Sequence, residues 1–278
     1  MSESSQSRGE GRGWLSRVLS APKNSMTKTL LVPLIVALFS AVMVAGAAIA
    51  LRPQYQANQE RNRQQNILAA ANLLQPGVST EALFERVEPR VVDLATGDYA
   101  PDIDPSTLER AVRDPSTLVT VPPELDAAFI KERSRYAVVY LLYEADRLQQ
   151  IILPVYGYGL WSTMYGYVAL ESDANTIVGL RFYQHGETPG LGAEIDNPKW
   201  QDLWSGKKIY SDAGEPLIEV VKGPVQSTSR SSAVHQVDGI SGATLTGRGV
   251  TNLLRYWFGA HGFGPYLQSR RETSEETR

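Results

Sequence analysis

The sequence predicts an α+β protein, with a single N-terminal transmembrane helix followed by an extracytoplasmic domain that has a mainly antiparallel sheet and packed helices. Three observations predict this architecture. The run from Thr29 to Leu51 is apolar and carries no charged residue. Two pairs of β-branched and aromatic runs, each joined by a short polar turn, are typical of antiparallel hairpins. An amphipathic run from Leu245 to Phe258 predicts a helix that packs on such a sheet and ends at Gly259.

The apolar run is long enough to cross a membrane. As a helix it extends about 34 Å, against a hydrocarbon core of roughly 30 Å. Basic residues outnumber acidic ones before it, namely Arg8, Arg12, Arg17, Lys23 and Lys28 against Glu3 and Glu10. This asymmetry predicts a cytoplasmic N-terminus and places the bulk of the chain on the other side of the membrane. The alternative is a cleaved signal peptide ending near Ala48-Ile49-Ala50, but the long charged leader favours a retained anchor.

Between the membrane segment and the first hairpin, the sequence predicts a stalk and an irregular insert. The segment from Gln54 to Leu74 has apolar residues at helical spacing, Ile67, Leu68, Ala71 and Leu74, which predict a stalk helix. Ser79 to Val87 predicts a second helix with Ser79 as its N-cap. Residues 88–125 are rich in Pro, Asp and Thr, which predicts an irregular segment with short helical turns.

The second half carries the predicted sheet. Strands are predicted for Tyr136–Tyr143, Gln149–Val155, Tyr165–Leu170, Thr176–Tyr183 and Pro216–Val221, and a short helix for Trp200–Trp204. The charged residues from Arg270 onward predict disorder. The predicted division is a cytoplasmic tail (1–28), a transmembrane helix (29–51), a stalk and Pro-rich insert (52–130), a ligand-binding domain (131–266) and a disordered tail (267–278).

Composition excludes several kinds of site. The 278 residues include no cysteine and only three histidines, which lie apart in the sequence. Disulfides, thiolate metal sites and iron–sulfur clusters are therefore excluded, and no metal site is predicted. The formal net charge of −3 gives no reason to expect a nucleic-acid partner. A redox function would need a bound organic cofactor.

Two glycine-rich motifs precede the last helix. Gly157-Tyr158-Gly159-Leu160-Trp161 follows a strand, and its glycines beside aromatic residues suit a loop that closes over a flat ligand. An ordinary turn with aromatics in the core is the alternative. His185 to Gly192 reads H-G-E-T-P-G-L-G, where Pro189-Gly190 predicts a tight turn with exposed N–H groups. Such N–H groups can bond the carbonyls of a ring, but composition alone favours a rigid surface loop with His185 bonded to neighbouring backbone.

The third motif, Asp238 to Val250, reads D-G-I-S-G-A-T-L-T-G-R-G-V. Its small residues precede a helix whose free N–H groups and dipole favour an anion, and Arg248 adds positive charge. A phosphate-bearing planar ligand is one interpretation, and a simple helix cap formed by Ser241 or Thr244 is the other. No Walker-type lysine follows, so a nucleoside triphosphate loop does not fit.

Two further interpretations receive little support. A hydrolase triad of Ser241, His235 and Asp238 lacks the G-x-S-x-G elbow that presents such a serine. Asp102 and Asp104 lack the spacing of a calcium-binding loop and are expected to cap turns.

The third motif contains the pattern Asp-x-x-Ser/Thr-Gly-Ala-Thr, here Asp238, Ser241, Gly242, Ala243 and Thr244. It resembles the flavinylation motif of the FMN-binding domain family. The motifs G-x-G-x-W and H-x-E-T-P-G-L-G are similar to the other hallmarks of that family. The resemblance implies that Thr244 carries FMN through a phosphoester bond, which a separate Mg-dependent flavin transferase installs from FAD.

The resemblance also implies the surroundings of the flavin. Ser241, Gly242 and Ala243 would admit the transferase and the ribityl phosphate, and Thr246 would bond the phosphate. The isoalloxazine wall would comprise Leu160, Trp161, Thr188, Leu191 and Gly192. No catalytic residue beyond the bound flavin is implied.

The complete arrangement of anchor, stalk, insert and flavin domain resembles the family of C subunits of the Na+-translocating NADH:quinone oxidoreductase. This resemblance implies an electron-relay protein whose partners are the other subunits of a multi-subunit membrane complex. It does not imply that this chain binds NADH, quinone or Na+. One alternative is the family of G subunits of the Rnf ferredoxin:NAD+ oxidoreductase, whose members are typically shorter. Another is an anchored scaffold protein without flavin.

Overall fold

The computed structural model describes residues 26–110, 117–226 and 230–276, and the chain divides into two compact units at residues 60 and 61. The first helix, α1 (Met26–Ala70), has 45 residues and includes the predicted apolar segment. Among the described residues, α1 is the single helix that is long and apolar enough to cross a membrane. The basic residues at positions 8, 12, 17 and 23, on which the predicted orientation depends, lie outside the described residues.

The predicted stalk is the continuation of α1 rather than a separate helix. Ile67, Leu68 and Ala71 are buried as the helical spacing predicts, whereas Leu74 is 43% exposed because the helix has already ended at Ala70. The next helix, α2 (Thr80–Phe84), has the predicted N-cap, since the Ser79 hydroxyl accepts a hydrogen bond from the Ala82 N–H at 3.3 Å. It stops three residues before the predicted end because the chain then enters a strand.

The segment 88–125 contains short helical turns as predicted, at Pro105–Arg110 and Pro123–Leu125, but the prediction is wrong in that it includes no strand. Strand β1 (Val87–Asp93) pairs with β4 along its whole length, and α3 (Pro105–Arg110) and β2 (Leu118–Thr120) follow. The sheet therefore begins at Val87 and not near residue 131. Burial of Val91 and Val92 on opposite faces of the strand stabilises β1, and its edge position tolerates Pro89, which has no N–H to donate.

The main sheet has five antiparallel strands, a four-stranded meander (β4 to β7) with β1 at its edge, in the order β1-β4-β5-β6-β7. Its four later strands match those predicted from hydrophobic runs, with bounds β4 (Tyr136–Glu144), β5 (Arg147–Tyr158), β6 (Thr163–Glu171) and β7 (Ile177–Gln184). Strand β3 (Glu132–Ser134) pairs with β2. The turn between β4 and β5 places Ala145 and Asp146 at positive φ, as in a two-residue hairpin turn whose twist matches the strands.

Short elements and two longer helices complete the fold. The predicted helix at residues 200–204 appears as α4 (Pro198–Gln201) and a following 3-10 turn, and the predicted strand at 216–221 shrinks to β8 (Glu219–Val220). Strand β9 (Gln236–Val237) pairs with β8 in parallel. The helices that follow are α5 (Arg230–Ala233), α6 (Thr244–Phe258) and α7 (Gly264–Glu276).

The sheet is covered on both faces. The predicted stripe of α6, namely Val250, Leu253, Leu254 and Trp257, is buried against one face of the sheet. The Trp257 indole N–H donates to the Tyr156 carbonyl of β5 at 2.6 Å, which fixes the helix against the strand. Residues from α2 and from the last turn of α1 cover the opposite face in a separate cluster. Helix α6 ends before Gly259, as predicted.

The C-terminal segment is helical and not disordered as predicted. Helix α7 continues to Glu276, and two of its arginines lie on aromatic rings. Arg270 stands over the rings of Tyr99 and Tyr266, at 5.2 Å and 5.6 Å, and Arg271 over Tyr210 at 3.8 Å. Such cation–π contacts each stabilise by about 0.5–2 kcal/mol. Two of the three rings, those of Tyr99 and Tyr210, are distant in sequence, so the sequence of the segment alone does not predict these contacts.

Candidate functional site

The glycine-rich motifs meet at the first half of α6. A Cβ atom on Gly249 would lie 2.7 Å from the carbonyl oxygen of Tyr158, so the backbone of the first motif lies directly against the helix. A Cβ atom on Gly192 would lie 2.5 Å from the hydroxyl of Thr246, so the second motif also lies against it. These approaches leave no room for a side chain at either glycine. The structure therefore brings together the three motifs that stand out in the sequence.

A tight turn leads into α6. The Ala243 N–H donates to the Ile240 carbonyl at 3.1 Å, and Gly242 has a φ of +72°, a conformation that favours glycine. Asp238 anchors the turn, because its carboxylate accepts from the Val225 N–H at 2.8 Å and its carbonyl accepts from the Trp200 indole at 2.9 Å. The aspartate of the motif therefore supports the turn rather than facing a ligand.

The first turn of α6 presents unbonded N–H groups. Ala243 is the N-cap and makes no side-chain capping bond, so neither Ser241 nor Thr244 caps this helix. The first bond into the helix runs from the Gly247 N–H to the Ala243 carbonyl at 3.0 Å. Among the described hydrogen bonds, none gives an acceptor to the N–H groups of residues 244–246. Such a helix terminus favours an anion.

The three hydroxyls of the third motif differ in exposure and partners. Ser241 and Thr244 are exposed, and Thr244 is the first residue of α6. Thr246 is fully buried, and its hydroxyl donates to Oε2 of Glu187 at 2.6 Å. The predicted bond from the Thr246 hydroxyl to a phosphate is therefore replaced by a bond inside the protein. Ala243, also selected from the sequence, is buried at 3% exposure beneath the turn.

Glu187 connects all of these segments, although it is not among the site residues predicted from the sequence and is only the fixed acidic position of the second motif. Its side chain is 5% exposed, and its Oε1 accepts hydrogen bonds from the N–H groups of Leu160 and Trp161, each at 3.0 Å. Burial acts to raise the pKa of this carboxyl, but the bonds from Thr246 and from the Trp161 and Leu160 amides outweigh it and leave the pKa lowered. Its signal in the sequence is a single carboxylate in the otherwise uncharged run G-E-T-P-G-L-G.

The second motif forms the tight turn that Pro189-Gly190 predicts. The Leu191 N–H donates to the Thr188 carbonyl at 3.1 Å, and Gly190 has a φ of +74°. Nδ1 of His185 accepts from the Glu187 N–H at 3.1 Å, and its Nε2 lies 2.7 Å from Asp196. His185 is thus bonded to neighbouring backbone, as one of the two interpretations expected, and it supports the loop.

Three apolar side chains stand exposed around this junction. Leu160, Trp161 and Leu191, which we call the apolar rim, are 38%, 63% and 44% exposed. A Cβ atom on Gly242 would lie 2.9 Å from Cδ2 of Leu191, so the rim adjoins the turn before Thr244. Thr188 is exposed beside the rim, whereas Gly192 is buried behind it.

A cavity of about 300 Å³ adjoins Thr244 on the side of β8. We call it the basic cavity, because Lys222, Arg248 and Arg255 lie in its wall together with Glu219. Arg255 forms an ion pair with Glu219 at 2.9 Å, whereas Lys222 and Arg248 are exposed. Unbonded N–H groups, the exposed Thr244 hydroxyl and cations suit a phosphate, and the apolar rim suits a flat ring, so these residues fit FMN.

The structure also tests the hydrolase triad and the calcium-binding loop considered from the sequence. His235 bonds the carbonyl of Lys208 at 2.8 Å, and the Asp238 carboxylate bonds backbone, so the imagined triad with Ser241 is not assembled. Asp104 accepts from the Ser106 N–H at 2.9 Å and caps α3, as expected of a turn residue. Across residues 26–110, 117–226 and 230–276, no group of three potential metal ligands lies together.

Comparison with known proteins assigns the chain to a family. The model of the FMN-binding domain matches residues 159–259, which include the second and third motifs. The chain is 48% identical to the C subunit of the Na(+)-translocating NADH-quinone reductase of Pseudomonas aeruginosa over 258 residues, covering 91% of this chain and 98% of the relative. Identity to the C subunit of the Yersinia pestis enzyme is 44% over 260 residues, covering 90% and 96%.

Solved structures of C subunits are also similar to this chain. The crystal structure of Shewanella oneidensis NqrC matches with a TM-score of 0.68 at 35% identity, covering 77% of this chain and 99% of that one. The C subunit of the Parabacteroides distasonis enzyme matches with a TM-score of 0.59 at 28% identity, covering 78% and 96%. These relatives favour the C subunits over the Rnf G subunits and over a scaffold without flavin. The chain belongs to the family of C subunits of the Na+-translocating NADH-quinone reductase.

Proposed function

We propose that this chain carries FMN in a phosphoester bond to Thr244 and relays electrons as one subunit of a multi-subunit Na+-translocating NADH:quinone reductase. The observation that carries the site assignment is the contrast between two threonines of the same helix turn. Thr244 is exposed beside unbonded N–H groups, whereas Thr246 is buried and bonded to Glu187. When bound, FMN supplies the acceptance and donation of electrons, and the protein holds and tunes it.

The phosphate would be held at the start of α6. The free N–H groups of the first turn and the positive end of the helix dipole stabilise a phosphate on the Thr244 oxygen. Arg248 lies one helical turn further on and lines the same cavity as Thr244 and Lys222. Ser241 and Gly242 are exposed before Thr244, which keeps the approach to its hydroxyl open.

The isoalloxazine ring would lie on the apolar rim. Leu160, Trp161 and Leu191 give it an apolar surface, and Thr188 gives it a polar neighbour at the edge. Gly192 and Thr246 belong to the support behind this surface, because both lie buried against Glu187. We therefore assign Thr246 a supporting function in place of a phosphate contact.

Attachment would require a separate flavin transferase. Within the part of the chain that the structure describes, no hydrogen bond joins the Thr244 hydroxyl to a base, and a threonine hydroxyl is a weak nucleophile without one. The two carboxylates of the motifs are already bonded elsewhere, Glu187 to Thr246 and Asp238 to the Val225 N–H. The reaction forms a bond from the Thr244 oxygen to the FMN phosphorus of FAD, breaks the bond to AMP, and transfers the hydroxyl proton to a base of the transferase.

The test of the site is in-gel flavin fluorescence. The full chain is coexpressed with a flavin transferase, denatured, separated by electrophoresis and illuminated. We expect a fluorescent band for the wild type, no band for Thr244→Ala, and an undiminished band for Ser241→Ala, which removes the other exposed hydroxyl. Fluorescence in Thr244→Ala, with loss in Thr246→Ala instead, would refute the assignment.

We also propose that α1 anchors the chain in the bacterial inner membrane with a cytoplasmic N-terminus and a periplasmic domain. Support comes from the length of the apolar helix and from the basic residues that precede it in sequence. Because the chain contains no cysteine, single introduced thiols report topology directly. An impermeant maleimide should label Asp212→Cys but not Ser7→Cys in cells with a permeabilised outer membrane. The reverse pattern would contradict this orientation.

A further inference from the structure

The carboxylate of Glu187 is buried without a cationic partner. Its side-chain oxygens accept from two backbone amides and one hydroxyl, all of which are neutral. Among the described residues, no lysine, arginine or histidine forms an ion pair with it. Burying a charge is costly unless it is paired, so the presence of a charge here requires an explanation.

Hydrogen bonding alone does not explain the charge. A glutamine in the same place has a carbonyl oxygen that can accept from the Leu160 and Trp161 amides, which both point at Oε1. Its amide group can donate to the oxygen of Thr246, whose hydroxyl hydrogen is free to rotate away. A neutral side chain of the same shape would therefore satisfy every one of these partners.

The position of Glu187 indicates what its charge does. The amides that it accepts from belong to Leu160 and Trp161 of the apolar rim, and Thr246 is two residues after Thr244. The charge therefore lies directly behind the surface on which we place the flavin. In a partly desolvated site, a negative charge opposes the addition of electrons to a nearby ring more strongly than it would in water.

We propose that Glu187 is a positioning residue of the flavin site, which fixes the apolar rim to the first turn of α6 and whose negative charge lowers the reduction potential of the flavin. This inference rests on the proposed function, because it needs a flavin on Thr244. The bonds and the charge are separable, since glutamine retains the first and removes the second.

The experiment compares Glu187→Gln with Glu187→Asp, which retains the charge on a shorter side chain. Each full chain is coexpressed with the flavin transferase and purified in detergent, and its melting temperature and covalent fluorescence are recorded. The flavin is then titrated potentiometrically by its absorbance. Glu194→Gln is the matched control, because Glu194 lies on the same segment, is partly exposed, and accepts from Asn197 at 2.7 Å.

We expect Glu187→Gln to keep covalent FMN and to raise the equilibrium constant for reduction about tenfold, which is about 30 mV for a two-electron couple. Glu187→Asp should keep a potential near that of the wild type even where its melting temperature falls. Glu194→Gln should leave both quantities unchanged.

Three outcomes would overturn the inference. The first is a wild-type potential in Glu187→Gln, and the second is an equal potential shift in Glu187→Gln and Glu187→Asp, which would assign the effect to geometry. The third is loss of folding in Glu187→Gln alone, which would mean that the fold, and not the flavin, needs the charge. Absence of the fluorescent band in the wild type would instead refute the proposed function.

Discussion

Thr246 donates a 2.6 Å hydrogen bond to Glu187, although the two residues are 59 positions apart in the chain. The hydroxyl is fully buried and the carboxylate nearly so. Because the other oxygen of Glu187 holds the Leu160 and Trp161 amides, one side chain joins three motifs that are separate in sequence. The arrangement of the site therefore depends on a residue that we do not expect to contact the cofactor.

Removal of this carboxylate should destabilise the domain. Glu187→Ala leaves one buried and two part-buried donors without an acceptor, and we expect the free energy of unfolding to fall by about 2–3 kcal/mol. Thr246→Val removes one of the three bonds and should cost about 1 kcal/mol. Urea unfolding of the full chain in detergent, followed by tryptophan fluorescence, measures both. Equal stability of Glu187→Ala and the wild type would contradict the connecting function.

Acid should weaken the fold through two carboxyls. A hydrogen bond from Arg135 lowers the pKa of Asp93, and the hydrogen bonds to Glu187 lower its pKa in spite of burial. A carboxyl whose pKa is lower in the folded state stabilises the fold above its unfolded pKa, about 4, and loses that contribution as the pH falls through the folded pKa.

We therefore expect the free energy of unfolding to be level above about pH 5 and to decline below about pH 4. Urea titrations at several pH values measure this curve. The decline should be shallower in Glu187→Gln, since the glutamine cannot bind the proton. An unchanged slope in that variant would show that the pKa of Glu187 does not differ between the folded and unfolded states.

Gly242 should be required for attachment of FMN as well as for stability. An alanine there would adopt a φ of +72°, which strains the turn before Thr244, and would place its Cβ 2.9 Å from Cδ2 of Leu191, so that side chain of the apolar rim must move aside. We expect Gly242→Ala to cost about 1–2 kcal/mol and to reduce the fluorescent band. Gly214→Ala is the control, because Gly214 has a φ of +81° and no atom within 4 Å of an added Cβ. It should lose similar stability but keep the full band.

Two glycines of α6 should respond oppositely to alanine. An added Cβ on Gly249 would meet the Tyr158 carbonyl at 2.7 Å and Cα of Gly159 at 3.0 Å, and backbone cannot move aside easily. On Gly247 it would meet the side chain of Val220, at 3.1 Å from Cγ1 and 3.7 Å from Cβ. Alanine favours a helix over glycine by about 1 kcal/mol, so Gly247→Ala should be neutral or stabilising. Gly249→Ala should lower the melting temperature. A higher melting temperature in this variant would show that the backbone at Tyr158 and Gly159 can move away from the helix.

The elements predicted correctly are those whose signal is local. Strands β4 to β7 follow β-branched runs closed by turns, and the stripe of α6 has helical spacing, so neither needs knowledge of distant partners. Strand β1 escapes prediction because Pro89 and the charged residues beside it are unusual in a strand. Its pairing with β4, fifty residues later in the chain, is what makes it a strand. Helix α7 escapes prediction for the same reason, since Tyr99 and Tyr210 receive its arginines.

The site shows the same division. The sequence indicates which motifs matter, because glycines and hydroxyls before a helix are a local pattern. It does not distinguish Thr244 from Thr246 by exposure, and it does not reveal Glu187, because both depend on contacts between segments that fold together. The family pattern selects Thr244 within the motif. The structure adds that the nearby Thr246 is buried and bonded to Glu187.

In folding terms, the carboxylate of Glu187 closes two loops, one of 27 positions back to Leu160 and one of 59 positions forward to Thr246. Closure of such long loops costs chain entropy, which is recovered only when β5, β6 and α6 have already met. Exposure of the Thr244 hydroxyl on an ordered helix terminus is thus a late event. A transferase that requires this terminus would modify finished domains and pass over nascent chains.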